Sequence, residues 1–324
     1  MDRNRRRFVA AATGAALLGA LPASAQAFPS RAVRLIVPVG IGTTTDLVSR
    51  MIAQRLGEAW GQGVVVENLP GTSGIIGLQQ LAKAPPDGYT IGAVSSNFAI
   101  NSALFAKLPY DPVKDFRPLL NLTSNYFVLV AHPSLPARTV PELVALAKSK
   151  PGEVDYASTG NGGSPHLAME MFAHMAGIKL AHIPYKATGP AVTDLLSGRV
   201  PLLFTSISTL LPHVRSGRLR ALAVSGEKRV AQLPDTPTMV EAGVSGCDMK
   251  HWVGMVAPAG VPDAIVAKLQ ADITRALRIP DVEAQLNAQA VEIDLLGADP
   301  FAKRINEEIA LWTRVARQSG AKVE

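Results

Sequence analysis

Five short stretches of this chain gather glycines, small residues and hydroxyls of the kind that can hold an anion. They are Val39-Gly40-Ile41-Gly42-Thr43-Thr44-Thr45, Ser95-Ser96-Asn97, Thr159-Gly160-Asn161-Gly162, Ala187-Thr188-Gly189 and Thr205-Ser206. Each stands at the exit of a strand pattern, where backbone N–H groups and side-chain O–H groups are free to donate. An uncrowded helix N-terminus adds its own attraction for negative charge. Taken singly, any of these loops reads equally well as an ordinary cap or turn. Five in one chain, on one sheet edge, point to a ligand.

Other chemistries lack their residues. No GxSxG elbow, GxxxxGK[ST] loop or post-strand GxGxxG occurs, and the stretch 40–45 has no phosphate-binding lysine. Ser164-Pro165-His166 lies at a helix start, but neighbours in sequence do not form a nucleophile and base pair, so Ser164 reads as a cap. The histidines, at 132, 166, 174, 182, 213 and 251, show no HxxxH or HExxH spacing, and no metal site is expected. Cys247 is the only cysteine. It can form no intrachain disulfide and reads as a small buried apolar residue.

The elements that must position these loops follow from periodicity. Val33 to Pro38 is an apolar, β-branched run of strand length, and Val48, Ile52 and Leu56 recur as one face of a helix. Thr45-Asp46 would open that helix. Strands follow at Val64 to Val66 and Tyr89 to Val94, separated by the turn Asn68-Leu69-Pro70-Gly71, with Gly71 at positive φ, and by a helix from Ser73 to Lys83. The order is βαβαβ, and right-handed crossovers bring the strand exits to one edge of a parallel sheet.

Leu119 to Ala131 reads as a crossing segment, interrupted by Asn121, Thr123, Ser124 and Asn125. A second βα series follows. Its strands are 154–157, 180–184, 200–204 and 220–224. Thr139 and Glu142 form a capping box for the helix 140–148, and Leu167, Met171 and Met175 mark the core face of another. Two terminal helices present Ile265, Leu269, Ile273 and Leu277, then Phe301, Ile305, Ile309, Trp312 and Ala316, toward the first series. The expected architecture is α/β and two-lobed, with each sheet mainly parallel and a cleft between the lobes. Lobe 1 takes 28–130 plus 251–324, and lobe 2 takes 131–250.

At 324 residues and 48% hydrophobic content the chain can bury substantial cores. Residues 1–27 carry Arg3, Arg5, Arg6 and Arg7, an apolar stretch and two A-x-A sites, which is an export signal. Asn4-Arg5-Arg6-Arg7-Phe8-Val9 resembles a twin-arginine signal, while the run of arginines also suits the general route. Its removal leaves 28 basic and 25 acidic residues, about +3 net. No basic run remains, so nucleic acid is not an expected partner.

The stretches VRLIVPVGIGTTTD, VVVENLPGTSGIIG, APPDGYTIG, YASTGNGGSPHLAMEMF, HIPYKATGPAVTDLLSG and LPDTPTMVEAG carry a resemblance over nearly the full mature length. They resemble the Bug family, the substrate-binding receptors of tripartite tricarboxylate transporters. The resemblance implies a periplasmic-binding-protein fold, type II-like, that closes as a monomer on a small organic carboxylate and delivers it to membrane permease subunits. It implies no cofactor and no catalysis. The family's ligand-facing loops fall on Val39 to Thr45, Ser95 to Asn97, Gly160 to Gly162, Ala187 to Thr188 and Thr205. Two departures stand out. Val39 and Gly42-Thr43-Thr44 replace the usual Phe and glycine run, adding two hydroxyls, and Thr205 replaces a common acidic residue. Losing that carboxylate removes a partner for an ammonium group, so the expected ligand has none. A sensor of the same fold, and a periplasmic enzyme, are the rival readings.

Overall fold

The structure is a computed structural model that describes residues 28–105 and 107–319. The expected export signal lies outside the described residues.

The first half of the sheet is a parallel trio, β1 (Val33–Val37), β2 (Val64–Asn68) and β3 (Thr90–Ser95), in the order β2-β1-β3. Val33 pairs with Val64, and Arg34 with Thr90. Four of the five residues of β1 are buried, as expected for a central parallel strand covered on both faces. Helix α1 (Thr44–Trp60) follows β1 and buries Val48, Ile52 and Leu56; it ends on Gly61, whose positive φ of 62° lets its N–H bond back to Gly57. A 3-10 turn at Thr72–Gly74 leads into α2 (Ile75–Ala82), and α3 (Ser96–Leu104) follows β3 without a gap.

The second half repeats this plan. Strands β5 (Asp155–Ser158), β6 (Ala181–Pro184) and β7 (Leu202–Ser206) form another parallel trio, ordered β7-β5-β6. Around them lie α4 (Val140–Ser149), α5 (Ser164–Ala176), α6 (Thr188–Leu196) and α7 (Ile207–Arg215), with β8 (Arg220–Val224) beyond.

What joins the halves is antiparallel. Strand β4 (Phe116–Ala131) is 16 residues long, and most of its length lies against β9 (Lys250–Pro258), from Phe116 opposite Pro258 to Tyr126 opposite Lys250. Its last five residues then pair with β7, and Val128 to Ala131 also pair with β8. Strand β10 (Glu292–Leu296) adds to β4 near Asn121 to Ser124. Among the described residues the result is one mixed ten-stranded sheet. The parallel expectation holds within each trio, and the mixed character comes from the two strands that run between them.

The terminal helices α8 (Asp263–Leu277), α9 (Pro280–Ala288) and α10 (Ala298–Ser319) return to the first half, against α1, α3 and β4. Phe301 packs edge-on against Trp252 at 5.3 Å. A Cβ on Gly254 would lie 2.2 Å from the Phe301 ring, so this close approach requires glycine in β9.

Local readings of the sequence shift in places. The cap of α1 is Thr43, whose hydroxyl accepts from the Asp46 N–H, rather than Thr45-Asp46. Thr139 does cap α4, while the Glu142 carboxylate accepts from the Arg138 N–H just ahead of it. In α5 the core face is Leu167, Ala168, Met169 and Phe172, with Met171 at its margin; Met175 is 48% exposed. Four-residue spacing locates a stripe only to within one position when small Ala residues let the helix rotate toward the sheet. Cys247 is buried, and burial pushes its thiol up to about 12, which leaves it unreactive.

Candidate functional site

Helices α1, α3, α5, α6 and α7 all begin at the gap between the two parallel trios. Thr44 and Thr45, Asn97, Ser164, Thr188, and Ser206 with Thr209 place those five helix starts in the wall of one cleft. The cleft encloses about 660 Å³, its solvent mouth included, a size suited to a small molecule. No side chain caps α3, α6 or α7. Their first-turn N–H groups therefore keep their donors and their partial positive charge.

The lining side chains complete an acceptor-seeking surface. The hydroxyls of Thr45, Ser95, Thr159, Ser164, Thr188, Thr205 and Thr209 form no hydrogen bond within the described protein. Among the lining residues there is no Asp or Glu, and Lys186, an exposed side chain at the edge, is the one cation. Phe127 and His251 form part of the floor. Their rings meet edge-on at 6.0 Å, and Phe127 meets Phe204 the same way at 6.0 Å. His251 is buried, its Nδ1 lies 3.0 Å from the Ser96 hydroxyl, and burial pushes its pKa down to about 4. The imidazole at the floor is neutral at pH 7.

The loop 39–43 is held from below. The Asp46 carboxylate accepts from the Gly42 N–H at 3.1 Å, Arg50 Nε at 3.0 Å and Asn68 Nδ2 at 2.8 Å. Burial opposes its charge, yet the bonds from Arg50, Asn68 and Gly42 outweigh that and hold it below the usual carboxylate range. Asn68 Nδ2 also reaches the Val39 carbonyl at 3.1 Å. The opposite loop rests on a stack of rings. His166 and His182 lie 4.0 Å apart and nearly parallel, with Tyr156 stacked 4.9 Å from His182. His166 Nδ1 accepts from the Gly162 N–H at 3.1 Å, and His182 Nε2 lies 2.6 Å from the Ser158 hydroxyl.

Of the residues singled out from sequence, Val39, Gly40, Thr43, Thr44, Thr45, Ser95, Asn97, Thr159, Ala187, Thr188 and Thr205 line the cleft. Six stand behind or beside it. Ile41 is 71% exposed, the Gly42 N–H is spent on Asp46, and Ser96 is buried against His251. Gly160, Asn161 and Gly162 shape the turn that carries Thr159; Gly160 has φ 117°, and the Asn161 carbonyl accepts from the Ser73 hydroxyl across the gap at 3.1 Å. Ser164 is not a cap: Gly163 holds that position, and the Ser164 N–H is itself capped by Asn97 Oδ1 from the other half, 2.9 Å away. Sequence reading missed Phe127, Lys186, Thr209, His251 and the Pro70 to Gly74 turn as cleft residues, while Ser206, in a stretch it did single out, lines the cleft as well. The turn and Lys186 lay in recognised loops, whereas Phe127 and His251 look like any strand residues until β4 and β9 pair.

The departure at Thr43 and Thr44 also acquires a different meaning. The Thr43 hydroxyl donates to the Gly40 carbonyl at 3.0 Å and caps α1. The Thr44 hydroxyl lies 2.6 Å from that of Ser206 and contacts that of Ser208. Both hydroxyls are consumed within the protein.

Two sheet halves, each a parallel trio, joined by long antiparallel strands and enclosing a cleft walled by helix starts, define a two-lobed receptor of the periplasmic-binding-protein type. The chain belongs to the tripartite tricarboxylate transporter family of receptors, TctC, whose family model matches residues 48–321. It is 36% identical over 307 residues to the protein BugT of Bordetella pertussis, covering 94% of each chain. Among solved structures, R. palustris Rpa4515 with adipate is similar at a TM-score of 0.88 and 34% identity, over 91% of this chain and all of that one. MatC from Rhodopseudomonas palustris with bound malate matches at a TM-score of 0.82 and 31% identity, over 89% and 99%.

Proposed function

We propose that this protein is an extracytoplasmic receptor that binds a small organic carboxylate lacking an ammonium group and passes it to the membrane permease subunits of a tripartite transporter. The observation that carries this reading is the cleft's composition: five helix starts, seven unspent hydroxyls, one lysine and no carboxylate among the lining residues. A carboxylate offers only acceptors, and the helix-start N–H groups, the hydroxyls and Lys186 can all donate to it, while an ammonium would meet no carboxylate counter-charge. The solved relatives with adipate and malate support the same class.

In this reading lobe 1 takes 28–130 plus 251–324, lobe 2 takes 131–250, and closure bends the strand crossings near 120–131 and 250–256. The receptor works as a monomer in the periplasm, and the closed surface is what the permease recognises. Binding without turnover is favoured by the state of the two Ser–His contacts near the site. Ser96 and Ser158 are buried and do not line the cleft, so neither can reach a ligand as a nucleophile.

A thermal-shift panel tests the reading. Adipate, malate or another plain carboxylate at about 100 times its dissociation constant is expected to add about 2.7 kcal/mol of stability, and aspartate and glutamate are expected to add less. An amino acid that stabilises more than every plain carboxylate, or a panel without any response, refutes it. Lys186→Ala is expected to weaken the selected carboxylate about fivefold, the scale of an exposed ion pair. The loss should shrink at 0.5 M salt in calorimetric titrations; an unchanged affinity would remove Lys186 from the site.

A further inference from the structure

We propose that Thr44 is a closure residue: it does not read the ligand but holds the two halves together through a hydroxyl triangle, and so sets how much of the ligand-free receptor is closed. The inference rests on the two-lobed receptor reading and deepens it at one residue.

The triangle is Thr44, Ser206 and Ser208. Thr44 opens α1 in the first half, while Ser206 ends β7 and Ser208 lies in α7 of the second. Thr44 Oγ1 lies 2.6 Å from Ser206 Oγ and in contact with Ser208 Oγ, and Ser206 and Ser208 lie 3.0 Å apart. Asn125 Nδ2 donates to Ser206 Oγ from β4, the strand that runs between the halves. Three hydroxyls carry three protons, and a cyclic arrangement uses all three around the triangle. None remains to donate to a bound carboxylate. Thr44 and Ser206 are buried, so opening the cleft would separate Thr44 from both partners at once.

The neighbouring hydroxyls behave differently. Thr45, Thr188 and Thr205 line the same cleft with no partner in the protein, and they are free to meet a ligand. Other hydrogen bonds between the halves, Ser73 to the Asn161 carbonyl, the Ser164 N–H to Asn97 and Gln232 to the Asn287 carbonyl, each involve a backbone group on one side. The Thr44 contacts are made purely by side-chain hydroxyls, which makes them removable without disturbing a loop. A net hydrogen bond shifts an equilibrium about two- to tenfold, so losing both Thr44 contacts is expected to move the closed-to-open ratio about tenfold or more toward open.

Pulsed electron-spin distance measurements on ligand-free protein test this. Val65 and Val240 are exposed, one in each half, and Val65→Cys with Val240→Cys accepts two labels while buried Cys247 stays unlabelled. The labelled parent is expected to give mainly a short distance. Adding Thr44→Val, which keeps the shape and removes the hydroxyl, is expected to transfer most of that population to a longer distance. Thr44→Ser should restore the short distance, and Ser208→Ala should lie between. A parent already dominated by the long distance, or a distribution that Thr44→Val leaves unchanged, overturns the proposal. No ligand enters the measurement, so its failure is distinct from a failure of the carboxylate reading.

Discussion

Phe127→Ala is expected to lower the unfolding free energy by about 3–5 kcal/mol, the range for removing a fully buried aromatic ring. Phe127 is 1% exposed. It belongs to the main core cluster, meets Phe204 and His251 edge-on, and its backbone N–H is bonded to the Ser225 hydroxyl at 2.9 Å. The ring lies where β4 passes from pairing with β9 to pairing with β7, with rigid strands on both sides, so the space it leaves cannot easily collapse. Because the same ring floors the cleft, alanine should also weaken carboxylate binding, and Phe127→Leu should recover most of the stability. Urea unfolding followed by circular dichroism measures both variants. A midpoint within error of the parent would show that this floor is far more plastic than its packing implies.

The second large effect is acid sensitivity. Burial, reinforced by the adjacent His166, pushes His182 down to about 4, and burial alone pushes His251 down to about 4. His166 is lowered too, by burial, against the pull of Glu170. Its Nδ1 accepts from the Gly162 N–H, so a second ring proton would break the bond that holds the loop. The unfolded chain binds a proton at each ring below about pH 6.5, whereas folded His182 and His251 resist protonation until about pH 4. Stability is therefore fully present above about pH 6.5 and is lost as pH falls toward 4. Each of these two shifts is worth about 3 kcal/mol at its limit. Between pH 7 and pH 4.5 they should together lower the melting temperature by roughly 10 °C. Asp46, whose pKa is lowered, adds a loss in the same direction, so the comparison that isolates the stack is His182→Gln. Its melting temperature should fall less steeply between pH 6.5 and 4.5; identical slopes would show that the ring stack does not drive the effect. Carboxylate affinity should decline over the same interval, since Thr159 sits on the loop that the stack supports and Ser164 and Pro165 open the helix that follows it.

Most elements were legible because they depend on short-range rules. The β-branched run at Val33, the Val48, Ile52 and Leu56 face, the Thr139 cap of the helix that follows it and the strand Arg220 to Val224 all respond to periodicity and capping chemistry, which neighbouring residues enforce locally. Boundaries were less legible. The strand expected at 200–204 runs from Leu202 to Ser206, because pairing with β4 carries the ladder through Thr205 and Ser206. The stripe on α5 was displaced by one position because Ala168 and Ala173 pack close and draw their side of the helix inward. Loop composition located most of the loops that line the cleft but not the duty of each hydroxyl. Thr43, Thr44 and Thr45 are identical side chains in a row, and they became a helix cap, a bridge across the cleft and a free cleft hydroxyl.

The amino-acid sequence by itself determined the α/β class, the two successive βα series, the absence of a disulfide and the donor-rich loops at the strand exits. Each of these depends on residue identity and on contacts within a few positions along the chain. Only the tertiary structure decided which donors remain unspent, that Phe127 and His251 floor the cleft, and that Asn97 caps a helix starting 67 residues later in the chain. A hydrogen-bond donor is available only if nothing nearby takes it. That depends on partners brought together by β4, β9 and five converging helix starts, at sequence separations no local pattern records.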